Sequence, residues 1–377
     1  MASVMAVSAE SWLTTRFEFT ASELTGALGD SITVLPIVVA LGTLTPAPLA
    51  LILLFFGAFQ VVWGVRYGLP LSVEPMKALA GLAIAGTLAY GELLAAGLLA
   101  GGVLLVVGAT GTLGHVQRYV GRPVIRGVQF AVALLLARAG LDLVAADLRM
   151  AALGALVALV VAAVGYRRAA ALAVLGAGTG WTLLTGGLPS VTVPTLGVFP
   201  AGAPSLTVGA LEGTAAQLAM TVGNAAVATS LLLDDLFDAD VSADQLATSM
   251  GSMNLLAVPL GGLPMCHGSG GLAGKYAFGA RSGGANVILG LLYAGAALVA
   301  GVWMGFPMAV LGVLLGVVAV QLGRVALETH RPAVVGAIGL LALLTNVGIA
   351  FLAGMVYWLA EGWLADRWVF LAAARSD

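Results

Sequence analysis

The chain has little charge, and this shortage argues against a soluble fold. Only 9% of its 377 residues are charged, whereas 60% are hydrophobic and the mean hydropathy is +1.05. A soluble core does not need so much apolar sequence. Apolar runs of about 17–25 residues recur along the chain, the length that crosses about 30 Å of hydrocarbon. The composition therefore predicts an all-α polytopic membrane protein in a lipid bilayer, and the lack of two-residue alternation argues against an outer-membrane barrel.

Cysteine and recognisable catalytic patterns are also scarce. The single cysteine, Cys266, excludes an intrachain disulfide and a cysteine metal cluster. The formal net charge is −2 and no basic tract occurs, so no nucleic-acid partner is predicted. The chain lacks HExxH, GxSxG and Walker patterns. We therefore expect no enzyme activity, no cofactor and no metal.

The chain does contain a second copy of its own membrane segment. Residues 57–70 align without a gap on residues 251–264, a constant shift of 194 positions. The same shift places Asp30 on Asn224. In both copies Gly-Leu-Pro is followed by a polar or glycine-rich interruption of apolar sequence. Interrupted segments at corresponding positions of two halves are typical of secondary transporters and point to the binding site.

The segment count and the charge distribution predict how the chain crosses the membrane. We expect about seven segments in each repeat, and this odd number requires the second repeat to be inverted. The first repeat would span 1–190, an uncharged outer linker 191–207 and the second repeat 208–377. Basic residues concentrate in connections that would lie inside, among them Arg126, Arg167, Lys275, Arg281 and Arg324. The first 19 residues do not resemble a cleaved signal peptide. This pattern predicts a plasma (inner) membrane protein with both termini cytoplasmic.

The first break, residues 70–77, combines a helix start with charge. Pro75 suits the first turn of a helix, which places Ser72 or Glu74 at the cap. The free N–H groups of that turn can hold an anion, and Lys77 adds a full positive charge. The alternative is a helix cap with a snorkelling lysine. An ionisable group inside a membrane segment favours the functional interpretation.

The second break, residues 264–275, is rich in glycine. Gly268, Gly270 and Gly271 permit close backbone approach, and Ser269 adds a hydroxyl donor at a second helix start. His267 could donate to an oxyanion or titrate near neutral pH. The alternative for His267 is a packing residue with satisfied hydrogen bonds.

The repeat predicts that the two breaks meet near the bilayer midplane. Two positive helix ends converging there predict an anionic substrate. Glu74 is unexpected beside an anion. It can pair with Lys77 at a spacing of i, i+3, or it can be protonated in the loaded state and so couple transport to a proton. Proton coupling through Glu74 is therefore a hypothesis.

The first helix of each repeat also carries polar residues that we expect to border the cavity. Asp30 and Thr33 lie in one copy, and Gln217, Thr221 and Asn224 lie in the other. Hydrogen bonding between helices without ligand contact is an equally good interpretation for each.

At these residues the chain resembles the molybdate transporters, a branch of the sulfate permease (SulP) superfamily. The long stretch 264–274, continuing to 278–283, is the most specific part of the resemblance, and Met76 lies in a second matching motif. Family members usually have Gln where this chain has Glu74. The matching stretches are Gly29-Asp30, Glu74-Pro-Met-Lys-Ala78, 222–229, 235–237, 264–274 and 278–283.

The resemblance implies a fold, a mechanism and a set of site residues. It implies about fourteen helices in inverted repeats, a transport domain (segments 1–4 and 8–11) moving against a gate domain (segments 5–7 and 12–14), and commonly a homodimer. It implies an oxyanion between segments 3 and 10, and no C-terminal regulatory domain is expected. Substrate-binding residues would be Asp30, Thr33, Ser72, Glu74, Met76, Lys77, Gln217, Thr221, Asn224, His267, Gly268, Ser269, Gly270 and Gly271.

The function that follows is import of a tetrahedral oxyanion, with molybdate first and tungstate and sulfate behind it. Two alternatives share the fold. A nucleobase permease could use Glu74 to accept a hydrogen bond from a uracil N–H, although the second break lacks the carboxylate expected there. An anion channel would differ from a carrier only in its flux properties.

Overall fold

The chain folds almost entirely into helices. The computed structural model describes residues 16–117 and 121–373, so the two chain termini predicted to be cytoplasmic lie outside the described residues. In chain order the helices are α1 (Ala21–Leu44), α2 (Leu49–Tyr67), α3 (Lys77–Ile84), α4 (Tyr90–Ala109), α5 (Leu113–Gln117), α6 (Arg122–Ala146), α7 (Leu148–Ala163), α8 (Ala170–Gly186), α9 (Val208–Met220), α10 (Ala228–Phe237), α11 (Ala243–Ala257), α12 (Ser269–Ala277), α13 (Gly284–Leu298), α14 (Met308–Leu327), α15 (Pro332–Leu344) and α16 (Val347–Ala373).

Several of these helices have the length and composition of membrane spans. Within the described residues, six helical stretches qualify: α1, α2, α4, α6, the continuous stretch Val208–Phe237 and α14. Shorter apolar helices accompany them, among them α7, α8, α13 and α15. The predicted helical membrane architecture is therefore present. The count of about fourteen segments stays a prediction, because many of the helices are shorter than a full span.

The sequence repeat reappears as matched helix crossings. Gly57 in α2 lies against the carbonyl of Gly290 in α13, and Gly251 in α11 lies against the backbone of Leu105 in α4. A side chain at either glycine would force the two backbones apart. Positions 57 and 251 correspond under the 194-residue shift. The two copies thus use one position for the same close approach, each time with a helix on the other side of the linker.

Helices α6 and α14 form a closely packed antiparallel pair. Gln129 Nε2 in α6 donates to the carbonyl of Leu322 in α14 at 3.3 Å. Further along, Gly140 lies against Gly312. Residue numbers rise along α6 as they fall along α14, which defines the antiparallel direction. The N-terminal end of α6 therefore adjoins the C-terminal end of α14.

A two-stranded antiparallel sheet joins the two breaks. Strand β1 (Glu74–Pro75) pairs with β2 (Met265–Cys266), with Glu74 opposite Cys266 and Pro75 opposite Met265. The N–H of Met76 also donates to the carbonyl of Pro264 at 2.9 Å. Each strand leads into a short helix of eight or nine residues, α3 or α12. The two half-helices predicted from the sequence are thus formed, and their N-terminal ends are adjacent.

Two amides matched by the repeat stabilise the extended backbone of the breaks. Asn254 in α11 accepts from the N–H of Met265 and donates to its carbonyl, both at 2.7 Å. Gln60 in α2, its counterpart under the shift, donates to the carbonyl of Val73 at 3.2 Å. Irregular backbone at membrane depth must find partners inside the protein, and these side chains supply them.

Candidate functional site

A cavity of about 680 Å³ lies between the half-helices and the α6–α14 pair. Its volume suits a small-molecule or ion site. Most of the candidate residues lie on its wall. They are Thr33, Glu74, Lys77, Gln217, Thr221, Asn224, His267, Gly268, Ser269, Gly270 and Gly271.

Three candidates lie behind this wall rather than on it. Asp30, Ser72 and Met76 are fully buried in the protein. Asp30 and Ser72 belong to a polar network beneath Glu74, and Met76 belongs to the hydrophobic core. In this conformation the structure does not bring these three side chains to the cavity.

Glu74 and Lys77 form an ion pair on the cavity wall. The carboxylate of Glu74 is 1% exposed and the Lys77 side chain is 21% exposed, so the lysine is the member in contact with solvent. Ser72 Oγ lies 2.8 Å from Asp30 Oδ1 and 3.3 Å from Glu74 Oε1. Because a hydroxyl carries one hydrogen, Ser72 bonds chiefly to Asp30 and leaves Glu74 to Lys77.

Lys275 neutralises Asp30 below the cavity. Its Nζ lies 3.4 Å from Asp30 Oδ2 and donates to Gln60 Oε1 at 2.8 Å and Asn286 Oδ1 at 2.6 Å. The lysine is fully buried. This pairing was not predicted from the sequence. The available signal was that Lys275 is one of only two lysines in the chain and lies inside apolar sequence.

The glycines of the second break make room for Glu74. A side chain at Gly268 or Gly271 would collide with the Glu74 carboxylate, whereas the corresponding space at Gly270 is open. The carboxylate therefore lies against the first turn of α12. That turn is where an anion is favoured by the helix dipole and by N–H groups without intrahelical partners. The protein's own carboxylate partly fills this position.

The two half-helices differ in how their first turns are satisfied. Gln217 Oε1 accepts from the N–H of Ala78 at 2.9 Å and lies 3.4 Å from the N of Leu79, and its Nε2 donates to Thr221. The first turn of α3 is therefore already capped by a side chain. The N-cap of α12, Gly268, offers no side-chain cap. The expectation that both helix ends offer free donors is corrected, and the available end is that of α12.

His267 offers no free ring nitrogen in this conformation. Its Nε2 lies 2.7 Å from Ser249 Oγ and its Nδ1 lies 3.0 Å from the carbonyl of Ser72. The residue is fully buried, and its ring packs edge-on against Trp63. These contacts match the interpretation of His267 as a satisfied packing residue.

The helix that carries Thr221 and Asn224 is distorted where it borders the cavity. Residues Thr221–Val227 form a π-helical turn between α9 and α10. Such turns re-aim side chains and occur frequently at functional sites. The matched stretch around Asp30 is ordinary α-helix. The two copies thus differ locally, and no sequence signal used above predicted the π turn.

The opposite wall of the cavity carries arginine and amide side chains. Arg126 and Gln129 come from α6, and Gln321 and Arg324 come from α14. Arg167, in the 3₁₀ turn Arg167–Ala169, also lines the cavity. The charge distribution of the sequence predicted these arginines only in connections between segments and gave no indication of a site.

Comparison with known proteins identifies the family. The profile of the family described as "Molybdate transporter of MFS superfamily" matches residues 22–136 and 209–322, more than half of the chain. Molybdate transporter 2 of Arabidopsis thaliana is 30% identical in an alignment 384 positions long, which covers 82% of this chain and 79% of that protein.

Solved structures identify the fold. The transmembrane domain of the cyanobacterial bicarbonate transporter BicA superposes with a TM-score of 0.64 at 16% identity, covering 89% of this chain and 97% of that one. The inward-facing murine anion transporter Slc26a9 gives 0.69 at 14% identity, covering 94% and 70%. These likenesses confirm the predicted polytopic helical membrane fold. The family profile and the 30% identity with the Arabidopsis thaliana transporter show that the chain belongs to the molybdate transporter family.

Proposed function

We propose that this chain is a secondary active transporter that imports a tetrahedral oxyanion, with molybdate the first candidate and tungstate and sulfate the next. The observation that carries the proposal is the cavity wall formed by the uncapped first turn of α12, Ser269 and Lys77. Membership of the molybdate transporter family supports the choice of substrate.

The donors on this wall have the chemistry that an oxyanion needs. A helix N-terminus supplies backbone N–H groups and a partial positive charge. Lys77 supplies a charge-assisted donor, and Ser269 and Asn224 supply neutral ones. A cation site would instead present several carboxylates or carbonyls. Among the described residues that line the cavity, Glu74 is the single carboxylate.

Glu74 would couple the anion to a proton. In this structure the Glu74 carboxylate is paired with Lys77 and lies against the first turn of α12. An incoming dianion would therefore compete with Glu74 for the lysine and for that helix turn. Protonation of Glu74 removes the competing charge and releases Lys77 to the substrate. The transporter would then take up one proton with each oxyanion.

The transport cycle would alternate access to this wall. Helices α1–α4 and α9–α13 would form the transport domain, and α6–α8 and α14–α16 the gate domain, with the cavity between them. The arginines at the cavity would lie on the cytoplasmic side under the positive-inside rule, which makes this an inward-open state. We further propose a plasma-membrane homodimer with cytoplasmic termini.

Calorimetric titration of the detergent-purified protein with molybdate tests the proposal directly. We expect binding at micromolar concentration or below that withstands excess sulfate and is weakened by about 10–100-fold in Lys77→Ala. Arg281→Gln is a matched cationic control, because Arg281 stacks on Tyr276 and does not line the cavity. Absence of molybdate binding in the wild type would overturn the substrate assignment.

The carboxylate of Glu74 on the cavity wall favours a second candidate, a nucleobase permease. A uracil N–H could donate to that carboxylate. Uracil is therefore included as a competitor: displacement of molybdate by uracil, or uracil binding alone, would support this candidate. Uptake stimulated by counter-substrate in proteoliposomes would distinguish a carrier from a channel of the same fold.

A further inference from the structure

The positive charge that is available to a ligand lies on the gate side of the cavity. On the half-helix wall Lys77 is neutralised by Glu74, and beneath it Lys275 faces Asp30. The remaining charged side chains that line the cavity, within the described residues, are Arg126, Arg167 and Arg324. A dianion in the cavity would therefore meet, opposite the half-helices, cations that form no ion pair with the described residues.

Two of these arginines occupy neighbouring positions on the packed helices α6 and α14. Contacts between the two backbones set the antiparallel register: Gly140 lies against Gly312 and Gly316, and Gly323 lies beside Ala133 and Phe130. In that register Arg324 lies about four to six residues beyond Arg126 along the helix pair. At about 1.5 Å of rise per residue, the two α-carbons are about 6–9 Å apart along the axis, a gap that two arginine side chains can span. Both side chains line the cavity, so two like charges share one patch of wall.

The surroundings hold Arg126 in place and offset its charge only from a distance. Its Nη1 donates to Gln129 Oε1 at 3.1 Å, and the buried Gln129 is itself fixed to α14 through Leu322. Glu328, the C-cap of α14, is close enough to interact electrostatically with Arg126. It forms no ion pair with any described residue. Arg122 carries the same charge as Arg126 and repels it, which opposes the attraction of Glu328.

Helix electrostatics explain one of these arginines but not the other. Arg324 lies in the last turn of α14, where the dipole favours a cation. Arg126 is the fifth residue of α6, beyond the first turn, so neither helix end stabilises its charge. Its charge therefore lies near a second arginine without support from a helix end, an arrangement that a bound anion would stabilise.

We propose that Arg126 and Arg324 form a second anion subsite, which captures the tetrahedral oxyanion from the cavity opening and presents it to the half-helices. The inference rests on the proposed function, because it concerns the same substrate. Guanidinium groups bind tetrahedral oxyanions through two parallel N–H donors, so adjacent arginines suit a dianion better than lysines would. Gln321 on α14 adds an amide donor to the patch.

Uptake of labelled molybdate into proteoliposomes tests the subsite. The variants are Arg126→Gln, Arg324→Gln and the double variant. Arg138→Gln is the control, since Arg138 is an exposed arginine of α6 that does not line the cavity. We expect each single neutralisation to raise KM by about tenfold, the lower end of electrostatic focusing in clefts, with little change in maximal rate. The dependence of KM on ionic strength should weaken in parallel.

A second variant gives an effect of opposite sign and does not depend on removing an arginine. Glu328→Gln removes the carboxylate that partly offsets the charge of Arg126. The KM of this variant for molybdate should therefore fall. Calorimetric titration should also show a weaker molybdate phase in the wild type and in Arg138→Gln that is absent from the double arginine variant. Thermal unfolding of each purified variant establishes that it is folded.

The outcomes separate this inference from the proposed function. A wild type that transports molybdate, together with a folded double variant whose KM and binding phases are unchanged, overturns the subsite alone. A raised KM in both arginine variants and a lowered KM in Glu328→Gln support it. A wild type that neither binds nor moves any oxyanion overturns the function and the subsite with it.

Discussion

The two lysines of the chain lie in the two half-helices, but in opposite surroundings. Lys77 begins α3 on the cavity wall, and its side chain is 21% exposed. Lys275 lies in the last turn of α12, fully buried, with its ammonium directed at Asp30, Gln60 and Asn286. The same residue type in corresponding segments therefore faces the cavity in one copy and is buried in a polar network of the fold in the other.

The two breaks differ in the same complementary way. The first break contributes charge through Glu74 and Lys77, and the first turn of its helix is capped by Gln217. The second break contributes space through Gly268 and Gly271, and its helix end is left without a side-chain cap. The repeat provides two similar scaffolds, and the cavity wall is built from their differences. Substitutions in matched positions can therefore separate the two roles.

The largest effect is expected when the buried lysine is removed. Lys275→Met leaves the Asp30 carboxylate buried without its cation, and breaking a buried pair costs about 3–5 kcal/mol of stability. Thermal unfolding in detergent should show this loss. The double variant Asp30→Asn with Lys275→Met should recover much of it. A single variant as stable as the wild type would contradict the structural role of Lys275.

Removal of the cavity lysine should act on the ligand and spare the fold. Lys77→Ala should weaken molybdate binding by about 10–100-fold, since a hydrogen bond to a charged group contributes about 1.5–3 kcal/mol. Its unfolding temperature should fall less than that of Lys275→Met, because the Glu74 carboxylate still lies against the first turn of α12, where the helix dipole favours a negative charge. Calorimetry and thermal unfolding of the same sample measure both quantities. Equal losses in Lys77→Ala and Lys275→Met would remove the contrast between them.

The glycines of the second break offer a matched pair of variants. Gly271→Ala places a methyl group in the space of the Glu74 carboxylate, and overpacking of this kind costs about 1–3 kcal/mol. Gly270→Ala adds the same methyl group to open space one residue away. We expect the first variant to lose molybdate binding and the second to keep it. Identical titration curves for the two would show that the space beside Glu74 is not needed.

Neutralisation of Glu74 should change how transport depends on pH more than it changes the maximal rate of transport. If the protonated form of Glu74 loads the anion, wild-type uptake rises as the pH falls. Glu74→Gln resembles that form at every pH, so its uptake should be high and nearly independent of pH. Initial rates measured across a pH series, with Glu92→Gln as the control carboxylate outside the cavity, test this. A wild-type profile already flat would remove the coupling hypothesis.

The smallest effect is expected at His267. Loss of its bonds to Ser249 and to the Ser72 carbonyl should lower stability by about 1 kcal/mol per hydrogen bond. Because neither ring nitrogen is free, His267→Asn should leave the dissociation constant for molybdate within about twofold of the wild type. A large loss of binding without a loss of stability would instead assign His267 to the ligand in another conformation.

Much of the fold was predictable because the sequence contains a repeat of its own membrane segments. The shift that aligns 57–70 with 251–264 identified both half-helices, and the polar residues of each break indicated where a ligand would bind. The structure joins those breaks through β1 and β2. Periodicity and interruption are local properties of sequence, so a single chain was sufficient to recognise them.

The parts that escaped prediction depend on distant contacts. Nothing near Gln217 indicates that its amide caps α3, and nothing near Lys275 indicates that its partner is Asp30, because these pairs are separated by more than a hundred residues. Arg126 and Arg324 become neighbours only through the register of α6 against α14. Charge alone placed them on one side of the membrane without placing them together.

The small sheet between the breaks has a mechanical consequence. Glu74 and Cys266 are paired across the two repeats, and the Asn254 and Gln60 amides tie the strands to neighbouring helices. The two half-helices are therefore coupled as one unit, here called the seat. Neither half-helix can tilt alone without breaking backbone hydrogen bonds that are buried away from water. If this seat travels relative to α6 and α14, the bending has to occur in the chain segments that connect the two groups of helices, such as residues 187–207 and the turn Ala300–Gly305.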